Sequence, residues 1–366
     1  MTKAAELAKM GEVLTNSKVG GRRNIIINGG CKVNQRGSNG SSKTASGDYA
    51  TDRFKTTFNG IGTWTIENVT DSPSEFSNSH KLTCTSADGS ISAGDFAFCR
   101  YIIEAQDLQQ LGFGTSDAKS FTFSFYVKSN KTGNATVEIN QQDASPIRRV
   151  ALQYTINQAN TWERKTLTVT GDASGTINND TGGGFEIYWW LRSGSTYTGG
   201  SHATAFAEIN SDQRNASNLD VGASDDDTWQ ITGVKMEVGS QATPFEHMSY
   251  GEDLFLCQRY YQVVPKYTFF IGAVEVGSNS LRAGIPITRP FRASPAIGNI
   301  TLTVYDDDDS SFSNAAHAVF ANSGSYEVDG TTGYLSIVFN GNLSSRTDNH
   351  NVTAMYGTDG TLDAEL

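Results

Sequence analysis

A chain of 366 residues has room for two or three domains. Its 37 glycines, 7 prolines and frequent Ser, Thr and Asn describe many short strands joined by polar turns. With 28 Lys and Arg against 39 Asp and Glu, the net charge is −11, which argues against nucleic acid or an anionic membrane as partner, because phosphate contacts need clustered cations.

The predicted elements begin with a helical pattern over residues 2–15. Thr2 is placed to cap it, and Leu7, Met10 and Leu14 recur at helical spacing. Gly11 weakens it by about 1 kcal/mol relative to Ala, and so short a helix is marginal alone in water. It is read either as a frayed terminus or as an anchor that needs a partner surface, with Leu7, Met10 and Leu14 as the anchoring stripe. Residues 19–23 follow as a flexible, basic hinge. Residues 24–29 read as an apolar strand ended by a turn, 31–49 as a long Ser/Gly/Asn-rich loop, and 52–54 as the resumption of strand.

In the middle of the chain, Phe121, Phe123, Phe125 and Val127 alternate with polar neighbours, the period-two signature of a strand with one face buried. Val137 with Ile139, and Leu167 with Val169, repeat it. In 185–192 the odd positions Phe185, Ile187, Trp189 and Leu191 form a core face. Glu186, Tyr188, Trp190 and Arg192 form the opposite face. The glycines at 182–184 allow another backbone to approach. Over 228–238, Trp229 and Ile231 share one phase, Val234, Met236 and Val238 the other, and Gly233 between them predicts a β-bulge.

Thr243, Pro244 and Phe245 end this unit. Ser249 with Glu252 three residues on is a capping box, opening a helix of about three turns with Leu254, Cys257 and Tyr261 on one face. Residues 262–366 hold a further set of strands: Leu302 and Val304 alternate around Thr303, and Leu335, Ile337 and Phe339 alternate with polar neighbours. Asp329-Gly330 and Asp359-Gly360 are turn dipeptides. The expected fold is all-β: a jelly-roll β-sandwich over 24–248, a linker helix over 249–261 and a second, C-terminal β-sandwich over 262–366, preceded by an N-terminal helical anchor and hinge over 1–23.

Motifs for chemistry are sparse. Cys31, Cys84, Cys99 and Cys257 are too widely spaced for a zinc site and read as buried, free thiols. No apolar run approaches 18 residues, and the N-terminus lacks an apolar core of signal-peptide length, so assembly in a cytoplasm is expected. The acidic runs 225–227 and 306–309 read as solvated turns, the second lacking the Gly and Glu that a calcium loop needs. The five histidines are scattered. No nucleophile elbow, glycine-rich phosphate loop or singled-out carboxylate pair is present, so no catalytic residue, metal or cofactor is expected. The outward face of 185–192 stands apart. A Tyr and a Trp between Glu186 and Arg192 are what a sugar platform needs: flat apolar rings for stacking and charged groups for hydroxyls, with Tyr197 placed to complete it. The plainer reading is that a loop or a neighbouring subunit covers this face.

Two stretches carry a resemblance. Residues 24–54, with N-I-I-I-N-G, Q-R-G and Y-A-T-D-R-F, and residues 228–261, T-W-Q-I-T-G-V-K-M-E-V-G-S-Q-A-T-P-F-E-H-M-S-Y-G-E-D-L-F-L-C-Q-R-Y-Y, resemble segments of bacteriophage tail fibre and related virion structural proteins. The start, 5–17, is similar to that of such proteins in marine phages. The resemblance implies a jelly-roll similar to carbohydrate-binding modules in a homotrimeric virion appendage. It would dock on a tail adaptor or other virion protein through its N-terminus and reach host surface polysaccharide. A head fibre or capsid decoration protein, and a glycan-cleaving tailspike, are the alternatives.

Overall fold

In the computed structural model the described residues are 3, 23–37, 43–44, 47–265, 270–274, 280–298, 301–305, 318–321, 326–329, 334–340, 351–356 and 360–366. The expected anchor residues Leu7, Met10 and Leu14, the acidic run 306–309, and Gly330 and Asp359 of the two turn dipeptides lie outside them. The chain divides into two compact units, Met1–Asp253 and Leu254–Leu366.

The first unit is an antiparallel two-sheet sandwich. Its strands are β1 (Asp48–Thr51), β2 (Phe54–Asn59), β3 (Thr63–Val69), β4 (Ser79–Ser86), β5 (Phe96–Glu104), β6 (Phe121–Ser129), β7 (Gly133–Gln141), β8 (Arg148–Ile156), β9 (Glu163–Val169), β10 (Gly183–Ser193) and β11 (Thr228–Val238). One sheet has the order β1-β2-β5-β10-β7-β8 and the other β3-β4-β11-β6-β9. The chain passes repeatedly from one sheet to the other, so most strands pair with partners distant in sequence. Alternation sets the two faces of each strand. The inward set includes Phe54, Trp64, Phe121, Phe123, Phe125, Phe185, Trp189 and Trp229, all fully buried. Each such side chain contributes about 1.5–3 kcal/mol of transfer free energy. Trp189 lies at the centre, with ring centroids 5.6 Å from Phe123 and 6.5 Å from Trp229.

The β-bulge expected in β11 is present. Register with β6 slips between Thr232 and Lys235, Gly233 has φ of +61°, and Trp229, Ile231, Val234 and Met236 all stay buried. The bulge also docks the entering chain. Residues 24–30 form no ladder of their own, contrary to the strand expected there; their bonds go to β11 and to side chains instead. Ile25 N donates to Met236 O, and Val234 N donates to Gly29 O, both at 2.9 Å. The Asn24 side chain accepts from Ile26 N and Met236 N and donates to Val234 O. A Cβ on Gly29 would sit 2.1 Å from Val234 O. The three isoleucines are buried as a strap rather than as a strand.

Burial revises the reading of the 225–227 turn. Asp225 accepts from Ala87 N, while Asp227 is buried and accepts from Gly222 N and Ser224 N. The run thus holds a turn in place instead of merely being solvated. All four cysteines are free and buried, and burial pushes the Cys31 thiol up to about 12.

The capping box is made as expected. Ser249 Oγ and N both donate to the Glu252 carboxylate, and Glu252 N donates back to Ser249 Oγ at 3.2 Å. The helix it opens, α1 (Tyr250–Cys257), is shorter than three turns, because Tyr261 already belongs to a strand. The second unit holds β12 (Tyr261–Val264), β13 (Phe270–Val274), β14 (Ser280–Pro286), β15 (Ala296–Gly298), β16 (Thr301–Tyr305), β17 (Ala318–Ala321), β18 (Tyr326–Asp329), β19 (Tyr334–Asn340), β20 (Asn351–Tyr356) and β21 (Gly360–Asp363). They pair as a three-stranded sheet β12-β21-β15 and a seven-stranded sheet β17-β16-β20-β13-β14-β19-β18.

Candidate functional site

The outer face of the six-stranded sheet brings most of the expected site residues together with charged groups from neighbouring strands. Register fixes which side chains share it. Tyr188 pairs with Arg100 on one side and Glu138 on the other; Glu186 pairs with Ile102 and Asn140; Trp190 pairs with Phe98. On the next strands Asn140 pairs with Arg149, and Lys55 with Arg100. Backbone can approach the start of β10 because of its glycines: a Cβ on Gly184 would lie 2.7 Å from Ala105 Cα.

One half of this face is sealed. Trp190 is 1 % exposed and Tyr188 8 %, so neither ring offers a stacking plane to solvent, contrary to the sugar platform expected there. The cause is the long β10–β11 connection. It pairs with the outer edge of β8 through Ala207 and Ala203, then returns across the sheet. Ser217 on this connection bonds Gln153 and Thr136, and His202 bonds Ser217 at 2.6 Å. Arg214 is laid into the aromatic group, its guanidinium carbon 5.4 Å from the Trp190 ring centre, 5.6 Å from Tyr197 and 5.9 Å from Tyr188. Phe98 stacks on Tyr188 at 4.3 Å, and Phe96 completes the cluster. Tyr197 does join Tyr188 and Trp190, as one wall of a sealed cluster.

Glu138 sits beneath this cover, fully buried. It accepts from Trp190 Nε1 at 2.9 Å and Arg214 Nε at 2.8 Å, with Arg149 Nε 3.5 Å away. Burial raises its carboxyl above the usual range, partly offset by Arg214, Trp190 and Arg149. Burial by itself lowers the Arg214 guanidinium, but Glu138 more than restores it. Arg192 is drawn elsewhere. Register slips between Trp190 and Arg192, and Arg192 is buried against Asp220 at 2.9 Å and the carbonyls of Asp88 and Gly222. It anchors the end of the connection and takes no part in the ring group.

The other half of the face is less covered. Arg100, Glu186 and Arg149 are half-buried there, around a buried Asn140. Glu186 accepts from Arg100 Nη2 at 2.7 Å and from the Tyr188 hydroxyl in a very short contact. Burial, then the Glu186 charge, raises the Tyr188 phenol. Arg149 is lowered by burial and by neighbouring Arg214. Three polar atoms have no hydrogen-bond partner: Arg100 Nε, Arg149 Nε and Asn140 Oδ1. Buried polar groups are ordinarily bonded, so three orphans on one patch mark a place for water or ligand.

Of the residues expected at the site, Glu186, Tyr188, Trp190 and Tyr197 share one face and Arg192 leaves it. Arg100, Glu138, Asn140, Arg149 and Arg214 were not legible as its members. They come from β5, β7, β8 and a connection, and only the alternation of Val137 and Ile139 hinted that Glu138 and Asn140 face outward. A cavity of about 140 Å³ lies beside the strap, lined by Ile26, Phe245 and Met248 among others. Its carboxylates are already paired, Asp253 with Lys32 at 3.0 Å and Glu246 with Arg23 at 3.3 Å. Among the described residues no group of three or more His, Cys, Asp and Glu is placed to hold a metal ion, and no helix is long and apolar enough to cross a membrane.

No protein-family model matches the chain, and no curated protein matches it. Solved structures do. The enzymatically active domain of tailspike protein 4 from bacteriophage CBA120 is 15% identical, with a TM-score of 0.33, over 59% of this chain and 22% of that one. This chain therefore spans about a fifth of that tailspike domain's length. A C-terminal family 22 carbohydrate binding module of Clostridium thermocellum Xyn10B is 11% identical, with a TM-score of 0.30, over 52% of this chain and 89% of the module. A family 11 carbohydrate-binding module of a C. thermocellum cellulosomal cellulase is 10% identical, with a TM-score of 0.29, over 55% and 97%.

Proposed function

We propose that the chain is a glycan-binding structural protein of a virion, a phage tail fibre. Its first unit would contact host surface polysaccharide through the less covered half of the outer sheet face. The observation that carries the binding reading is the patch of Arg100, Asn140 and Arg149 with unsatisfied polar atoms beside half-buried Glu186. Ligand hydroxyls are suited to satisfy such groups, and the apolar rings behind them are already committed. The virion assignment rests on the sequence resemblance in 24–54 and 228–261, which also implies a homotrimer docked through its N-terminus. Binding without cleavage is supported by the state of the two carboxylates of the patch and its cover. Glu186 is held by Arg100 and Tyr188, and Glu138 is buried under Arg214. Neither is free to protonate a glycosidic oxygen or to receive a sugar carbon, as hydrolysis requires.

A glycan array probed with the full chain tests the reading. Saturable retention on at least one glycan, lost in the Arg100→Gln/Arg149→Gln double variant at a temperature where that variant is still folded, is the expected result. Retention unaffected by the double variant places recognition elsewhere, and no retention on any glycan overturns the binding reading. Sedimentation of the intact protein checks the trimer, which a monomer at micromolar concentration refutes.

A further inference from the structure

The open patch is not neutral, and its groups are not equally committed. On the sheet's outer face Lys55, Arg100 and Arg149 stand against Glu104, Glu138 and Glu186, and the connection lays Arg214 onto Glu138. Every one of those carboxylates already accepts a hydrogen bond: Glu104 from Gln106 at 2.8 Å, Glu138 from Trp190 and Arg214, and Glu186 from Arg100 and Tyr188. The unspent capacity is different in kind. Arg100 Nε has no hydrogen-bond acceptor, Arg149 Nε has only the long 3.5 Å approach of Glu138, and Asn140 Oδ1 is an acceptor without a donor, on a residue only 2 % exposed. A ligand that completes this patch brings acceptors to the two arginines and a hydroxyl to the asparagine between them.

Resting on the glycan reading above, we propose that the patch binds an acidic oligosaccharide, with a ring carboxylate of the ligand on Arg149 or Arg100 and a ring hydroxyl on Asn140. A carboxylate suits a guanidinium because two oxygens meet two parallel N–H groups. Arg149 has an unspent donor, and its charge is only partly answered by Glu138 at 3.5 Å. Arg100 and Arg149 stand on strands separated by β10 and β7. Three strand spacings span about 14 Å, so the two arginines address different parts of an extended ligand. A neutral glycan would leave the arginine donors bonded only to hydroxyls and would forgo the charge-assisted contacts.

The test uses the full chain and a panel of acidic oligosaccharides: galacturonate oligomers, glucuronate-containing oligomers and sialyl-terminated glycans. Each is paired with its carboxyl-reduced form, and binding is measured by calorimetry or on an array. The expected result is retention of at least one acidic member, weakened at least tenfold on carboxyl reduction and by added salt. Arg149→Gln should weaken it at least tenfold and Arg149→Lys less, while Lys81→Gln on the other sheet leaves it unchanged. Melting temperatures identify any variant that fails to fold, and Asn140→Asp, which sets a like charge beside the ligand, is the second probe and should abolish binding. Equal binding of acidic and reduced forms overturns the acidic specificity and leaves glycan binding standing. Equal binding of polyglutamate shows a charge effect without saccharide recognition and also overturns it. Retention of no glycan of either kind overturns both.

Discussion

Trp189 and Trp190 are adjacent, and both are buried, yet they are buried by different things. Trp189 faces the sandwich core, among Phe54, Phe123, Phe125 and Trp229, where dispersion and the removal of apolar surface from water hold it. Trp190 faces what the strand pattern marks as the wet side. There a long connection covers it, and its indole N–H bonds a buried carboxylate. The inner layer has apolar groups and few polar obligations. The outer layer is a mixed cluster in which aromatic rings, one arginine and one glutamate must all be present together. A face that reads as exposed by alternation can thus be a second core, of a more brittle kind.

The largest effects should come from breaking either layer. Trp189→Ala and Trp190→Ala are each expected to lose about 3–5 kcal/mol of unfolding free energy in urea. A near-neutral Trp190→Ala would show that the outer cluster is not cohesive and would make that ring available to ligand after all. Glu138→Ala should cost a similar amount, about 3–5 kcal/mol, because Arg214, laid among the rings, loses the carboxylate it bonds at 2.8 Å. The sharper experiment is Glu138→Leu combined with Arg214→Leu. If the outer layer is held by paired charge, the double variant recovers much of the stability lost by either single one. Simple addition of the two losses would mean the pair is not coupled.

The two layers should also differ in their response to pH. His80 of β4 is fully buried near Phe54, and burial lowers its imidazole to about 3. Its unfolded form takes up a proton near 6.5 while the native form does not. Stability from this group is therefore complete above 6.5 and declines as pH falls from there toward 3, at about 1.4 kcal/mol per pH unit. Urea titrations from pH 7 to pH 4 should show this slope, and His80→Gln should flatten it. An unchanged slope in the variant excludes His80 as its source; carboxylates such as Glu163, held down to about 2 by Lys165, Asn157 and the Gln158 backbone against the opposing effect of burial, act only from about 4.5 downward.

What the sequence made legible follows from the range of the signal. Strand phase is local, so Phe121, Phe123, Phe125, Val127 and the odd positions of β10 could be assigned to the core, and Gly233 at a phase change marked a bulge. The capping box of Ser249 and Glu252 needs only four residues and was equally readable. The burial of Trp190 was legible only as the plainer of two readings, a covering loop, because what covers it is a connection of more than thirty residues without strand signals and depends on where Arg214 comes to rest. The strap at 24–30 misled for a related reason: its isoleucines are apolar like a strand's, but Ile25 bonds Met236 in β11, more than two hundred residues away, Ile26 bonds the Asn24 side chain and Ile27 bonds the Tyr101 hydroxyl of β5. The patch of Arg100, Asn140 and Arg149 draws on three strands, and no single segment names it.

The smallest expected effect isolates the contact between ring and guanidinium at the edge of the outer layer. Tyr197 is only partly buried, packs at 5.3 Å from Trp190, and lies 5.6 Å from the Arg214 guanidinium carbon. Tyr197→Leu keeps much of the apolar volume and removes the ring's electron-rich face. A cation over a partly solvated ring contributes about 0.5–1 kcal/mol, so the variant should lose about that much, well below the cost of either tryptophan. If Tyr197→Leu is as damaging as Trp190→Ala, the ring closes the cluster rather than decorating its rim. If it costs nothing even at low salt, Tyr197 takes no part in holding Arg214, which then rests on Glu138 and on the Trp190 and Tyr188 rings.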